Sequence, residues 1–225
     1  PSMASAAGFA LIETNARGQG NAYAGAAAHT PDASTIFFNP AGMMELSGDQ
    51  LVLASHIITP KSSFTNKGST NAAAVGGGAI SGGNDDGGFD AFVPNLYWVK
   101  KLSEDMKFGL GMNSPFGLAI KYDDDWVGRY HAVVSDLKII NFNPSIAYRV
   151  NEQFTIGAGV DLMLADVLLS SAVDTAALLG QTPGSGDGFA ELTGDNFSEP
   201  GLGFNFGLQY ALSAQTMFGL AYRSE

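Results

Sequence analysis

Between residues 137 and 164 oily side chains alternate with small or polar ones so regularly that two faces can be written down directly. Ile140, Phe142, Ile146 and Tyr148 fall on one face, and Asn141, Asn143, Ser145 and Ala147 on the other. After Asn151-Glu152-Gln153 the pattern resumes, with Ile156, Ala158, Val160, Leu162 and Leu164 against Thr155, Gly157, Gly159 and Asp161. Successive side chains of a strand point to opposite faces, so two period-2 runs joined by a short polar turn specify an antiparallel hairpin. The form returns in Leu202, Phe204, Phe206, Leu208, Tyr210 and Leu212 against Gly203, Asn205, Gly207 and Gln209, and again in Phe218, Leu220 and Tyr222.

A soluble sandwich alternates in the same way, so strand length and the content of the small face decide between the two. Soluble strands average about 5–6 residues. The runs here reach about a dozen, close to the ~9–11 tilted residues that cross a bilayer as a β-strand. Gly, Asn, Gln and Asp make a poor protein core and suit the hydrated or loosely filled interior of a membrane barrel. Composition agrees: 45% of the 225 residues are hydrophobic and 15% charged, with 29 glycines and no cysteine. No run approaches the ~18 consecutive apolar residues of a membrane helix. Mean hydropathy near zero is what a barrel gives, because lipid-facing and interior residues cancel. The net charge of −11 argues against nucleic acid as a partner.

The chain divides, on this reading, into residues 1–6, a plug at 7–47 and barrel from 48 to 225. Ala4-Ser5-Ala6 has the small-x-small form of a signal-peptidase site, so residues 1–6 read as the remnant of a signal peptide for export to a bacterial outer membrane. In the plug, helical turns are expected around 21–28 and 32–36, with Asp32 capping the second. Strands are expected at 49–60, 89–101, 106–121, 136–150, 154–172, 200–212 and from 216 onward. The connections at 61–88, 122–135 and 173–199 are long and the others short, the alternation of extracellular loops and periplasmic turns. The loop at 61–88, rich in Gly, Ser and Asn, has too few apolar groups to fold by itself. Seven strands leave an open edge in lipid, where unpaired backbone groups cost several kcal/mol each. The chain is therefore expected to be the N-terminal half of a longer barrel.

Motifs of other chemistries fail. Gly18-Gln19-Gly20 and Gly157-Ala158-Gly159 lack the third glycine and the strand-to-helix setting of a dinucleotide site. His29, His56 and His131 are isolated, without metal-ligand spacing. Asp123-Asp124-Asp125 reads as a solvated acidic loop rather than a divalent-ion bridge to lipopolysaccharide. No Ser/His/Asp set has an activating context, so no catalytic residue, metal or cofactor is expected. An adhesin or phage receptor is the less favoured alternative, having no evident need for a plug.

Gly8-Phe9-Ala10-Leu11, Gly18-Gln19-Gly20-Asn21-Ala22-Tyr23-Ala24-Gly25, Asp32-Ala33-Ser34-Thr35 and Asn39-Pro40-Ala41-Gly42 resemble the hatch of FadL-type long-chain fatty acid and hydrocarbon transporters. The likeness continues through Val93-Pro94-Asn95, Ser114-Pro115-Phe116-Gly117-Leu118, Trp126-Val127-Gly128-Arg129-Tyr130 and Asn141-Phe142-Asn143-Pro144-Ser145. The resemblance implies an all-β, 14-stranded antiparallel transmembrane barrel, about seven strands of it here, with a mostly helical N-terminal hatch. It implies a monomer among outer-membrane lipid and lipopolysaccharide that takes up long-chain fatty acids or other hydrophobic molecules by passive diffusion. Substrate would move from a groove in the outer loops to an internal pocket and leave sideways at a kink in the third strand.

Within that frame Phe9 is the candidate for the internal pocket, and Leu178, Leu179, Phe189 and Leu192, oily residues in the third long loop, are candidates for the outer groove. Ser114, Pro115, Phe116 and Gly117 are the candidate kink, since proline cannot donate a ladder hydrogen bond and glycine marks a bend. Asn39, Pro40 and Ala41 are the candidate gate, expected beside the kink, with the asparagine satisfying the backbone groups that the bend releases. One departure bears on substrate. A basic group is expected on the upper part of the strand at 154–172, to hold a fatty-acid carboxylate. The chain has Asp166 there, and no Lys or Arg from 164 to 169. A carboxylate in the pocket favours a neutral alkane or aromatic hydrocarbon, unless the cation comes from elsewhere.

Overall fold

The structure, a computed structural model, describes residues 10–29, 31–71 and 78–224. The signal remnant at 1–6 and the pocket candidate Phe9 lie outside the described residues. One antiparallel sheet dominates. It runs β1 (Gln50–Ile58), β4 (Ala91–Lys101), β5 (Met106–Asn113), β7 (Val134–Arg149), β8 (Phe154–Asp174), β10 (Gly201–Ser213) and β11 (Thr216–Arg223). These seven positions are the predicted strands. The expected third strand is two segments, β5 and β6 (Gly117–Lys121), which pair in turn with β7.

Burial on the two faces is the inverse of a soluble protein. Asn95, Asn113, Asn141, Asn143, Ser145, Thr155, Asp161, Asn205 and Gln209 are buried on the inner face. On the outer face Leu53 is 71% exposed, Ile57 72%, Leu202 74% and Leu220 66%, and Phe92, Ile146, Phe204, Phe206 and Phe218 are exposed beside them. Each large apolar side chain left in water forgoes about 1.5–3 kcal/mol. These nine would forgo roughly 14–27 kcal/mol, against the ~5–15 kcal/mol by which a folded domain is stable. The outer face is thus a lipid face.

The inner face is covered by the residues that precede β1. They form α1 (Ala16–Gly20), capped by the Asn15 side chain at Gly18 N, then α2 (Thr35–Phe38) and a 3-10 segment, Pro40–Glu45. Asn39 caps that last segment through Ala41 N at 3.1 Å, and Pro40 occupies its first turn, where the missing N–H costs nothing. Asp32, the expected cap of the second turn, lies two residues ahead of the cap position, Ser34, and accepts from Ser34 N at 3.0 Å without capping α2 itself. Ile36, Met43 and Met44 pack against Tyr97, Val99 and Ala147 of the sheet. Gly157 and Gly207 make the approach possible: a Cβ on Gly157 would overlap the backbone at Pro40 and Ala41, and one on Gly207 would overlap Asn39 Oδ1.

Two long loops hold short elements of their own, and the helical turn in the second is the one that Ala176-Ala177-Leu178-Leu179 leads one to expect. The loop at 61–88 contains the short pair β2 (Ser63–Phe64) and β3 (Asp85–Asp86). In the loop at 173–199, Asp174 caps a helical turn, α3 (Thr175–Leu178), followed by β9 (Asp187–Asp195), which pairs with the upper half of β8. The order of β9 comes from the ladder that β8 offers and not from an apolar face of its own, since nearly all of it is exposed.

Candidate functional site

The wall of the sheet is broken at Ser114-Pro115-Phe116, as the sequence predicts. Asn113 pairs with Asn141 and Gly117 with Lys138, so three residues on one side oppose two on the other. The surplus residue is a bulge at the proline, which has no N–H for the ladder. Ser114 Oγ donates to Ile139 O at 2.6 Å, occupying a carbonyl at the break. β4 pairs with β5 only from Leu96 to Lys101. Its upper half, residues 91–95, therefore has a described strand partner, β1, on one side only.

The chain ahead of α1 enters that gap. Ala10 forms a bridge with Phe116, Leu11 N donates to Pro115 O at 2.8 Å, and Asn95 Nδ2 donates to Glu13 O at 3.2 Å. Beyond this strap a cleft of about 640 Å³ remains, lined by Leu11, Phe92, Phe116, Leu118 and Ile140, with Lys61, Asp90, Asp136 and Lys138 also on its walls.

The rest of the plug is held by its backbone carbonyls. Arg223 Nη2 donates to Phe37 O at 2.9 Å, Arg149 Nη2 to Met44 O at 3.0 Å, Lys107 to Leu46 O, and Gln209 Nε2 to Ala27 O and Ala28 O at 3.2 Å. Arg223 is paired with the buried Asp161, which also accepts from Asn141 at 2.6 Å. The two cations at Met44 and Leu46 meet the C-terminal end of the 3-10 segment, where unpaired carbonyls concentrate negative charge.

Asn39, Pro40 and Ala41 are not beside the kink. Asn39 Nδ2 donates to Ala27 O at 2.6 Å and to Leu208 O at 3.1 Å, and Pro40 and Ala41 lie against Gly157. The expected role of the asparagine, satisfying backbone oxygens, is met at β10 instead, because the small residues that admit the plug backbone are on β8 and β10. The strap at 10–13 takes the place beside the kink.

Above the lipid face the loops enclose a second cavity of about 1060 Å³, lined by Ile80, Val127, Tyr130, Val173, Asp174 and Leu178 among others. Of the groove candidates, Leu178 lines it. Leu179 follows directly and is exposed, while Leu192, opposite Leu169, and Phe189, opposite Ala172, fall on opposite faces of β9. The four are not gathered into one patch.

Arg129 binds these loops together, and sequence reasoning did not single it out. Its guanidinium pairs with Asp187 at 2.7 Å and donates to Ser81 O at 2.5 Å and Tyr130 OH at 3.0 Å, and Tyr130 donates to Asp187 at 2.6 Å. The Arg129 side chain is only 4% exposed. Burial, aided by the bond to Asp187, pushes the Tyr130 hydroxyl up to about 12. Asp187 lies below its ordinary value: burial acts to raise it, and the hydrogen bonds from Tyr130 and Arg129 outweigh that. Trp126, stacked on Tyr122 with ring centroids 3.8 Å apart, fills the neighbouring space.

Asp166 is on the outer face, exposed, directly opposite Lys138 of β7. Its parity is that of Val160, Leu162 and Leu164, so it does not face an internal pocket, and the argument for a neutral substrate built on it falls. A cation does stand at that level. The signal was available in the sequence, because strict alternation from Ile140 puts Lys138 on the outer face.

The whole chain, residues 1–225, matches the family described as outer membrane protein transport protein (OMPP1/FadL/TodX). Among curated proteins it is 32% identical to outer membrane protein P1 of Haemophilus influenzae, over 99% of this chain and 54% of that protein. It is 29% identical to a long-chain fatty acid transport protein of Escherichia coli, over 97% of this chain and 50% of that protein. The chain thus spans about half the length of the curated relatives it matches. Among solved structures, a FadL homologue of Pseudomonas aeruginosa superposes with a TM-score of 0.82 at 23% identity, covering 96% of this chain and 52% of that one. The monoaromatic hydrocarbon channel CymD superposes with a TM-score of 0.60 at 22% identity, covering 96% and 53%. Lipid-facing strands, an inner face filled by the preceding residues and a match along the full sequence agree: the chain belongs to the outer membrane protein transport protein (OMPP1/FadL/TodX) family.

Proposed function

We propose that the full-length protein is a passive outer-membrane channel for hydrophobic molecules, long-chain fatty acids first, and that substrate leaves through the wall at the β5–β6 break. The broken ladder with its oily cleft carries this reading. An acyl chain in water loses about 0.8 kcal/mol per methylene, so a path that passes from loops to cleft to lipid avoids roughly 10 kcal/mol of aqueous exposure for a long chain. Leu178, with Leu179, Phe189 and Leu192 around it, serves the first capture in the loops. Asn39, Pro40 and Ala41 form the fixed floor of the hatch, and Phe9 serves the internal pocket. Nothing in this route is catalytic. A neutral-hydrocarbon channel is the second reading, favoured by the likeness to a channel described as carrying monoaromatic hydrocarbons.

Ala10 and Phe116 are cross-strand partners with the geometry of a non-hydrogen-bonded pair, which a disulfide can span. The chain has no cysteine of its own. The double substitution Ala10→Cys and Phe116→Cys, oxidised in the full-length protein, is expected to cut oleate uptake by whole cells at least tenfold and to recover it on reduction. Uptake at the wild-type rate with the disulfide formed would rule out exit beside the strap.

A further inference from the structure

The outer face of the sheet changes character at one level. On β7 the outward residues are oily from Tyr148 to Ile140, then charged at Lys138 and Asp136; on β8 they are oily from Val160 to Leu164, then charged at Asp166, opposite Lys138. This rung is the upper limit of the apolar band, the depth at which a bilayer changes from acyl chains to head groups. The cleft crosses it. Phe92, Phe116, Leu118 and Ile140 line its oily part, and Gly117 and Ala119, the β6 partners of Lys138 and Asp136, place at most a methyl group beside those two. Its volume is in the range of small-molecule sites.

The polar end has an unusual arrangement. Lys138 Nζ lies 2.6 Å from Asp136 Oδ2, and the lysine side chain is 65% exposed while the aspartate is 17% exposed. The other carboxylate oxygen, Asp136 Oδ1, is out of solvent and has no hydrogen-bond partner. The mouth of the cleft thus offers an ammonium with donors to spare beside an unused acceptor. Lys61 and Asp90, on the same walls, bring one further charge of each sign. A head group that both accepts and donates, and carries no net charge, matches this set.

We propose that the cleft is a binding site for a long-chain fatty acid in its uncharged carboxylic form, the carbonyl accepting from Lys138, the O–H donating to Asp136 Oδ1 and the chain lying along Phe92, Phe116 and Ile140. The site deepens the lateral-exit reading and rests on it. It takes the form of the substrate that can enter lipid, since an ionised carboxylate is costly to desolvate.

The test uses full-length protein in lipid nanodiscs and a fatty acid with a diazirine in its tail, with cross-linked peptides mapped by mass spectrometry. Cross-links are expected at the peptides of Phe92, Phe116 or Ile140. Oleic acid and oleyl alcohol, which both donate and accept, should compete at least tenfold better than methyl oleate or 1-octadecene, which cannot donate. The double substitution Lys138→Gln and Asp136→Asn should weaken this labelling about tenfold and leave labelling around Leu178 unchanged, with heat-modifiable gel mobility confirming a folded barrel. Equal competition by all four ligands, labelling unaffected by the double substitution, or displacement of the probe by purified lipid A would overturn the proposal; the last would assign the cleft to an outer-leaflet lipid. Radiolabelled oleate uptake, measured separately in cells, separates the two readings. Uptake without head-group selectivity in the cleft would sink the site alone, and selectivity without uptake would sink the transport reading.

Discussion

At the scale of single residues, the contacts that decide the arrangement are polar and lie inside. Alternation assigned Asn141, Asn143, Asn205 and Gln209 to the inner face correctly, but it carried no information on what they meet there. Plug carbonyls are the partners of Asn205 and Gln209, and a backbone oxygen has no signature in a sequence. Gly207 shows the same limit: its place on the small face was legible, and its role as the slot for Asn39 was not. Arg129 was hidden for a related reason, since its partners Ser81 and Asp187 come from two other loops, 48 and 58 residues away. The clamp supports a prediction of definite sign. Asp187 is held below its ordinary value of 3.8 in the folded protein. The stability it contributes is present above that value and is lost as pH falls through the lower folded one. A charged hydrogen-bond pair contributes about 1.5–3 kcal/mol. Asp187→Asn at neutral pH is therefore expected to speed amide exchange at Ala172, bonded to Arg129 O at 2.8 Å, by about 10- to 100-fold. In the wild type the same loosening should begin only below about pH 4. Unchanged exchange at Ala172 in the variant would show that Arg129 does not tie the loops together.

At the scale of elements, the sequence was most legible where lipid imposes strict alternation, and least where an element borrows its order from a neighbour. β7, β8, β10 and β11 fall within two residues of their expected bounds. β9 was read as loop because Gly, Glu and Asp break up its oily positions, and it forms because β8 runs 21 residues and leaves its upper half to be paired. The break between β5 and β6 was visible as Pro115 and Gly117, whereas the surplus residue that makes it a bulge emerges only from the pairing with β7. That register gives a direct test. Deleting Pro115 would let β5 run into β6 with one residue opposite each residue of β7, and so restore the ladder. The deletion is expected to leave the full-length barrel folded, with normal heat-modifiable mobility, and to reduce oleate uptake to about a tenth or less. A folded deletion variant with normal uptake would show that the bend is incidental to transport.

On the scale of the whole molecule, the question is how a wall that is polar within and oily without stays closed to ions. Among the described residues β1 pairs only with β4 and β11 only with β10, so the sheet has two open edges. In lipid such edges leave backbone groups unsatisfied at several kcal/mol each, which makes the full-length protein the unit to test. In it, Asn205, Gln209, Arg149, Lys107 and Arg223 would line a hydrated bore were they not spent on the plug. Removing residues 10–46 frees them together: the carbonyl partners of Asn205, Gln209, Arg149, Lys107 and Arg223 all lie in that segment. Each freed polar group can then be hydrated, and the bore becomes an aqueous path of the kind found in open barrels. The full-length protein in planar bilayers is accordingly expected to pass little ionic current, and the variant lacking 10–46 to show steps at least tenfold larger. Because the groups released are Arg149, Lys107 and Arg223 against the single carboxylate of Asp161, the opened bore should also favour anions at neutral pH, measurable as a reversal-potential shift in a salt gradient. Large steps from the intact protein would mean that the plug does not seal the bore, and equal currents from both would mean that its hydrogen bonds to the wall do not govern permeation.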